Sequence, residues 1–571
     1  MLKKDIPDKD QAVDVSEKDK FLDGEMFANM VRGGAAQLRS NAEEVNNLNV
    51  FPVPDGDTGD NMRMTMEGGV AALDRVQTNN LADAAQKLSQ GMLLGARGNS
   101  GVILSQFFAG LTRGFAKHRR ANAQAVGAAL QEGVKQAYAS VITPTEGTIL
   151  TVAREAVQYA VSRISEASTI TSLISDLIKE MYNSLQRTPD LLPALKEAGV
   201  VDSGGAGLLY IMQGFYKILI GEEIDGGNAR IVQLQQPEVD FSAFGPDSEM
   251  TYGYCTELLL QLLNHKTDAE AFDVKTVTEY LQTVGDSIVA FKTGTIVKLH
   301  VHTMTPDAVL QFCRQYGEFL SVKIENMSVQ HNHTVTADLP AMQDSPTARE
   351  VKDFGTVAVA SGDGIRALFR QLGVDEVVSG GQTQNPSAQD FLAAFERVNA
   401  ENIFVFPNNG NIIMAAKQAA QLYEHGHVRV IESKDLGQGY AAISSLNFES
   451  GDPEQIAATL SEAMTMVSTG CISTSIRRAD LGGVHIECGD HIGFVGKEML
   501  VSCPNRLDAS KQLLEKMGIA DLYLITTFVG KDTDPAEVEA LSTWVAECYP
   551  DVEFYTVDGG QEVYPYIFVA E

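Results

Sequence analysis

Asn49-Val-Phe-Pro-Val-Pro-Asp-Gly-Asp-Thr-Gly-Asp-Asn-Met62 sets Asp55, Asp57 and Asp60 within six positions, between two prolines and a run with helical spacing. Clustered carboxylates are the hard oxygen ligands that Mg²⁺ prefers, and glycine lets the turn bend tightly enough to aim two of them at one point. Phe51, Val53 and the prolines stiffen the approach, so the carboxylates are held rather than left to swing. An EF-hand is excluded, because Met66 stands at the twelfth position from Asp55, where that loop needs a bidentate Glu. The competing reading is a solvated acidic turn, since Asp-Gly-Asp is common turn sequence.

Outward from this turn, Phe21 to Gly221 carries apolar residues at three- and four-residue spacing in segments 83–94, 102–116, 123–140, 149–164 and 170–185, with glycines between them. That predicts an all-α N-terminal domain, a helical bundle or barrel, over 21–222. Residues 223–250 lose the periodicity and hold Gly226-Gly227, Pro237 and Pro246, so they read as a linker. The period changes at 251–337, where strand, helix, two strands, helix and strand follow in the β-α-β-β-α-β order of an α+β, ferredoxin-like domain. A second linker, 338–353, leads to a C-terminal mixed α/β domain over 354–571, whose strands and helices alternate from Thr356 in a doubly wound start.

Several function classes drop out on composition. The chain has 571 residues, 44% of them hydrophobic, which is more than one core usually supports. A net charge of −31 speaks against a nucleic acid partner, since duplex binding relies on Lys and Arg neutralising phosphates. The first twenty residues lack the apolar core of a secretory signal, and the apolar stretch Leu208–Ile220 is interrupted by Gln213, Gly214 and Lys217. A cytoplasmic protein without a membrane span is expected. Six scattered cysteines with no Cys-x-x-Cys pair suggest reduced thiols.

No Walker A sequence is present. Three glycine turns stand instead at expected helix starts: Thr58-Gly59-Asp60-Asn61, Gly95-Ala-Arg-Gly98-Asn99-Ser100-Gly101 before a helix Val102–Phe115, and Asp202-Ser203-Gly204-Gly205-Ala206-Gly207. Backbone N–H groups and the positive end of a helix make such a turn a cradle for an anion. Each turn alone is equally explained as a cap or a close-packing point.

The blocks LNVFPVPDGDTGDNM, GARGNSG, PTEGTILTV and LKEAGVVDSGGAGL, in that order, resemble the DhaL-type nucleotide-binding domain of dihydroxyacetone kinases. The three-part architecture further resembles the bacterial fatty acid kinase A subunits over essentially the whole chain. The resemblance implies a helical barrel that binds ATP through two Mg²⁺ ions, with Asp55 and Asp57 as the metal-ligating, catalytic aspartates. Val50 stands where dihydroxyacetone kinases carry a further metal Asp, and neighbouring Asn49 is the replacement. Thr58, Gly59, Asn61, Gly98, Asn99, Ser100, Gly101, Thr148, Asp202, Ser203 and Gly204 match nucleotide-binding positions. Arg187 is either a phosphate contact or an exposed helix-terminal arginine, and Asp60 is read as a helix N-terminal charge.

The implied reaction is phosphorylation of a fatty acid carboxylate, presented by a separate fatty-acid-binding protein, to give acyl phosphate and ADP; a homodimer is also implied. The alternatives are a small-polyol kinase of the dihydroxyacetone type and a non-enzymatic nucleotide-sensing scaffold. In the middle domain, Cys255 on the first strand and His300 and His302 on the third fall on neighbouring strands of a ferredoxin-like sheet. The resemblance implies structural Zn²⁺ there; the alternative is a pair of strand histidines beside a buried Cys. His485-x-x-Cys488-x-x-His491 reads as an exposed hairpin. Ser361–Gly364, Ser379–Thr383 and Pro407–Asn411 stand at strand ends, open to a ligand cradle, to partner docking and to plain loop structure alike.

Overall fold

A computed structural model describes residues 17–48, 56–76, 78–141, 143–222, 254–269, 272–293, 295–326, 351–381 and 384–571. The chain divides into two units, one formed by 1–228 with 348–571 and the other by 229–347.

The first unit begins with helices α1 (Gly24–Ser40), α2 (Ala42–Asn46), α3 (Thr58–Asp74), α4 (Leu81–Gly95), α5 (Gly98–Phe115), α6 (Ala123–Ala139), α7 (Ile149–Ser162), α8 (Ile170–Leu191), α9 (Pro193–Ala198) and α10 (Ser203–Leu219). Their starts are written in the sequence: Asp23, Asn80, Asn122, Thr148, Thr169 and Asp202 each accept a backbone N–H of the turn they open. Such a cap stabilises a helix by about 1 kcal/mol. One core gathers Val31, Leu38, Met62, Leu88, Phe108, Val152, Leu177 and Ile211, all fully or almost fully buried. Helices α1 and α10 touch backbone to backbone, because a Cβ on Gly214 would lie 2.4 Å from the Gly33 carbonyl oxygen.

The sequence reading starts α5 at Val102, four residues late. Gly98, Asn99, Ser100 and Gly101 form the first helical turn instead of a loop. Gly101 is there for space, since a Cβ would meet Thr65 Oγ1 at 2.4 Å.

The second unit holds β1 (Tyr254–Leu262), α11 (Lys275–Val284), β2 (Gly285–Thr293), β3 (Ile296–Thr303), α12 (Pro306–Cys313) and β4 (Gly317–Asn326). Its sheet runs β2-β3-β1-β4 with every pairing antiparallel. Leu258, Leu260, Val297, Leu299 and Val301 pack on Val277, Leu281 and Val309 of the helices.

The remainder of the first unit carries two sheets. A parallel sheet of order β6-β5-β7-β8 is made of β5 (Lys352–Ala360), β6 (Glu376–Ser379), β7 (Ala400–Phe406) and β8 (His427–Val430). The helices Asp363–Gln371, Ala388–Val398 and Ile413–Leu422 lie between its strands in sequence. β9 (Ser468–Thr474), a small hairpin of β10 (Ala479–Leu481) and β11 (Val484–Ile486), β12 (His491–Val495), β13 (Glu498–Cys503), β14 (Leu524–Val529), β15 (Glu553–Asp558) and β16 (Tyr566–Ala570) follow. The larger sheet has the order β13-β12-β9-β16-β14-β15. Two strands escape the sequence reading. β6 has four residues, too few to show a period. β16 is a continuous apolar run, buried at all five positions between β9 and β14, so it has no polar alternation to read.

The helical and α/β parts of this unit share a core. Ala96 and Val102 at the start of α5 are buried in one cluster with Ala388, Phe391, Ile412 and Ala415. Gln418 accepts from Gln106 Nε2 at 3.0 Å and donates to the Leu93 carbonyl.

Candidate active site

Four helix N-termini meet at one cavity of about 250 Å³. Asp57, Thr58 and Asn61 come from the start of α3, Asn99 and Ser100 from α5, Thr148, Ile149 and Leu150 from α7, and Asp202, Ser203 and Gly204 from α10. Each terminus favours a nearby anion by about 0.3–1 kcal/mol through its exposed N–H groups and axial dipole, so the convergence selects negative charge. The α3 and α5 starts take no cap from their own leading side chains.

Asp57 leads α3 without bonding its own helix. Its Oδ2 accepts a hydrogen bond from Asn385 Nδ2, contributed by the α/β part of the chain. Ser203 Oγ donates to Thr58 Oγ1 at 3.3 Å, linking the starts of α10 and α3. Asn99 Nδ2 donates to Asn411 Oδ1 at 3.3 Å, while Asn99 Oδ1 is buried with no donor among the described residues. Carboxylate, hydroxyl and amide oxygens are the donor set of a hard divalent cation, so these residues fit Mg²⁺ beside a polyphosphate. No group of three or more His, Cys, Asp and Glu is arranged for a metal among the described residues. Asp55 and Asn49 lie outside them.

Asp202 has a different station. Its carboxylate accepts from Gly205 N–H at 2.7 Å, capping α10, and also takes the backbone N–H of Ile149. Burial pushes its pKa up to about 6 in spite of those bonds. The PTEGT block is held by Glu146, which accepts from Arg154 at 2.5 Å and from Thr151 at 2.6 Å. The hydrogen bond from Arg154 and then that from Thr151 draw the Glu146 carboxyl below the usual range.

Other expected residues stand near the cavity without lining it. The Gly59 N–H is bound to Asn46 Oδ1 at 2.7 Å, and a Cβ there would reach the Ala42 carbonyl at 2.2 Å. Gly98 has φ +57, and its Cβ would meet Asn61 Nδ2 at 2.5 Å and Asn385 Nδ2 at 3.1 Å. Asp60 accepts from Asn46 Nδ2 at 2.8 Å and from Arg63 Nη2 at 2.9 Å, steadying the first turn of α3. Arg187 is not at the cavity: its Nη2 is 2.6 Å from Glu155 and 2.7 Å from Glu180, on the exposed side of α8.

The sequence reading misses Ile103, Val141 and Leu150, which give the cavity an apolar wall, and Asn385 and Asn411. The two asparagines carried only the signal of strand-end turn residues.

A second cavity, of about 510 Å³, opens at the strand ends of the parallel sheet. Ser361, Gly362, Gly380, Gly381, Asn408 and Lys531 are among its lining residues, as are Asp363, Arg366, Asp435 and Glu562. It is twice the size of the first, but its charges are of both signs. In the second unit, strand register sets Cys255 opposite His302 and Glu257 opposite His300. The side chains of Cys255, His300 and His302 fall outside the described set. His485 is on the exposed β10–β11 hairpin, bonded to Asp480 at 2.7 Å. No helix among the described residues is long and apolar enough to cross a membrane.

Family models match residues 52–217 as a DAK2 domain, 251–334 as a FakA-like middle domain and 355–571 as a FakA-like C-terminal domain, both of the latter being domains of fatty acid kinases. Protein YloV of Bacillus subtilis is 38% identical over 558 residues, covering 97% of this chain and 100% of the relative. An uncharacterized Staphylococcus epidermidis protein is 36% identical over 562 residues, covering 96% of this chain and 99% of its own. Among solved structures, the dihydroxyacetone kinase from C. freundii in complex with AMP-PNP and Mg²⁺ is similar at 20% identity and TM-score 0.28, over 37% of this chain and 38% of that one. A fatty-acid-binding DegV family protein from Thermus thermophilus is similar at 17% identity and TM-score 0.30, over 38% of this chain and 99% of that one.

Proposed function

The chain belongs to the FakA-like fatty acid kinase family, and from that premise we propose that it transfers the γ-phosphoryl group of ATP to the carboxylate of a fatty acid presented by a separate fatty-acid-binding protein. The observation that carries the proposal is the meeting of four helix N-termini around Asp57. A triply anionic chain of phosphates suits such a site, and the apolar wall of Ile103, Val141 and Leu150 suits a nucleobase.

Asp57, with Asp55 and Asn49 as proposed companions, would hold Mg²⁺, which when bound neutralises charge on the phosphates during in-line transfer. The first turns of α5 and α10 orient the phosphates through backbone N–H groups, with Ser100 and Ser203 hydroxyls beside them. A fatty acid carboxylate is already ionised near neutrality, so its oxygen attacks the γ-phosphorus with no proton to remove. The new P–O bond forms as the bond to the β-bridging oxygen breaks, giving acyl phosphate and ADP. This agrees with a cavity that offers no histidine among its lining residues.

A structural Zn²⁺ at Cys255, His300 and His302 remains part of the reading, supported by their strand register; equal zinc content in wild type and Cys255→Ala would remove it. The main test is reconstitution with labelled ATP, a fatty acid and a fatty-acid-loading protein. Acyl phosphate that depends on all components is expected. ATP consumption with dihydroxyacetone and without fatty acid would overturn the acceptor assignment.

A further inference from the structure

The cavity of the helical part is not finished by the helical part. Asn385 precedes the helix Ala388–Val398, and Asn411 precedes the helix Ile413–Leu422; both belong to the α/β part, more than 300 residues from their partners. Asn411 lines the cavity itself. Asn385 is 2% exposed and donates to the carboxylate of Asp57. Its amide oxygen is buried without a donor among the described residues.

Both asparagines sit on loops held in place from behind. In the first, Gly381 N–H bonds the Gln384 carbonyl at 3.0 Å, and Ser387 and Asp390 close a reciprocal capping box. The same loop is clamped to α5, where Arg97 pairs in a β-bridge with Ser387 and donates Nη1 to the Asn385 carbonyl at 2.7 Å. In the second, Asn408 takes φ +55 and is fixed by both ends of its amide, accepting from Ser433 Oγ at 2.7 Å and donating to the Val359 carbonyl at 2.9 Å. Asn411 N–H is bound in turn to Asn409 Oδ1 at 2.9 Å. Beneath both loops, Ala96 and Val102 are buried in the core of the parallel sheet.

We propose that the nucleotide site is composite: Asn385 is a positioning residue that fixes the carboxylate of Asp57 toward Mg²⁺, and Asn411 is a binding residue that sets Asn99 against the phosphates. The inference rests on the kinase reading above and adds to it a physical dependence of the kinase centre on the C-terminal part of the chain. A carboxylate that keeps a single orientation binds a cation more tightly than one that rotates, and loss of such an outer partner typically weakens metal affinity about 10–100-fold. Loss of one neutral amide contact weakens binding about 2- to 10-fold.

The test uses the full chain and Mg·ADP binding by titration calorimetry across a range of Mg²⁺ concentrations, so it does not depend on turnover. Asn385→Ala is expected to raise the Mg²⁺ concentration for half-maximal ADP binding about 10-fold. Asn411→Ala is expected to weaken ADP binding about 5-fold. Gln418→Ala, which loosens the same interface away from the cavity, leaves both quantities within about twofold and controls for general loosening. Should Asn385→Ala not fold, as thermal melting will reveal, the half-buried Asn411 and the conservative Asn411→Gln carry the test. Folded Asn385→Ala and Asn411→Ala proteins with wild-type Mg²⁺ dependence and affinity overturn the proposal. So does a gain in affinity, which marks the contact as a latch. Asp57→Ala separates the two levels: if it alone changes Mg²⁺ dependence, the composite site fails and the kinase reading stands; if none of the three does, the kinase reading fails as well.

Discussion

Two cavities in one unit are lined largely by turns and helix starts, and they differ in how those parts are aimed. At the strand ends of the parallel sheet, Lys531 and Arg366 share the wall with Asp363, Asp435 and Glu562, so opposite charges offset one another across about 510 Å³. In the helical part, four helix starts point at about 250 Å³, and their partial positive charges add. Volume therefore misleads, and convergence of like-signed dipoles singles out the smaller cavity for phosphate chemistry.

The largest effect that separates the two is on turnover. Asp57→Ala is expected to lower acyl phosphate formation about 100-fold or more, the scale for removing a charge that stabilises a transition state, while Lys531→Ala changes it less than about twofold. Release of labelled ADP in the reconstituted system reads both. Full activity in Asp57→Ala would erase the contrast.

A glycine pair sharpens it next. Gly98 and Gly362 have φ +57 and +89, and a Cβ would fall 2.5 Å from Asn61 Nδ2 in one and 2.3 Å from the Gly559 carbonyl in the other. Alanine at either is expected to cost about 2 kcal/mol in thermal or denaturant unfolding. Only Gly98→Ala should also weaken Mg·ADP binding, because only Gly98 presses on the asparagines of the smaller cavity.

The pH response comes third. The folded Asp202 carboxyl titrates at about 6, above its ordinary 3.8, so the folded chain keeps a proton that the unfolded chain releases. Its contribution to stability is present below about pH 4 and is lost as pH rises to 6, a change on the order of 1 kcal/mol once solvent screening is allowed for. Asp202→Asn keeps a capping oxygen and removes the titration. A melting series from pH 4 to 7 should show the variant's stability falling less over that window than wild type; parallel curves would contradict the assignment. Smallest of all is Arg187→Ala, an exposed paired arginine, expected to change stability by about 0.5 kcal/mol or less and Mg·ADP affinity not at all.

What could be read in the sequence follows the range of the interaction. The helices of the first 222 residues show in their apolar spacing and in caps such as Asn80, Asn122 and Thr169, because period and cap are both local. The glycine turns mark helix starts for the same reason, although Gly59 and Gly101 prove to serve packing against α2 and Thr65. β16 stays hidden, since five buried apolar residues look alike in a helix or a strand. Asn385 and Asn411 could not be found at all: their partners lie 328 and 312 residues away, and an asparagine in a strand-end turn needs no further explanation until the fold delivers it elsewhere.

The central claim is a location, and a crystal structure of the full chain with Mg²⁺ and ADP tests it most directly. The account predicts the diphosphate against the first turns of α3, α5 and α10, with Asp57 on the metal and Asn411 beside the nucleotide. A nucleotide seated instead among Ser361, Gly381 and Lys531, with the helical cavity unchanged, would contradict it.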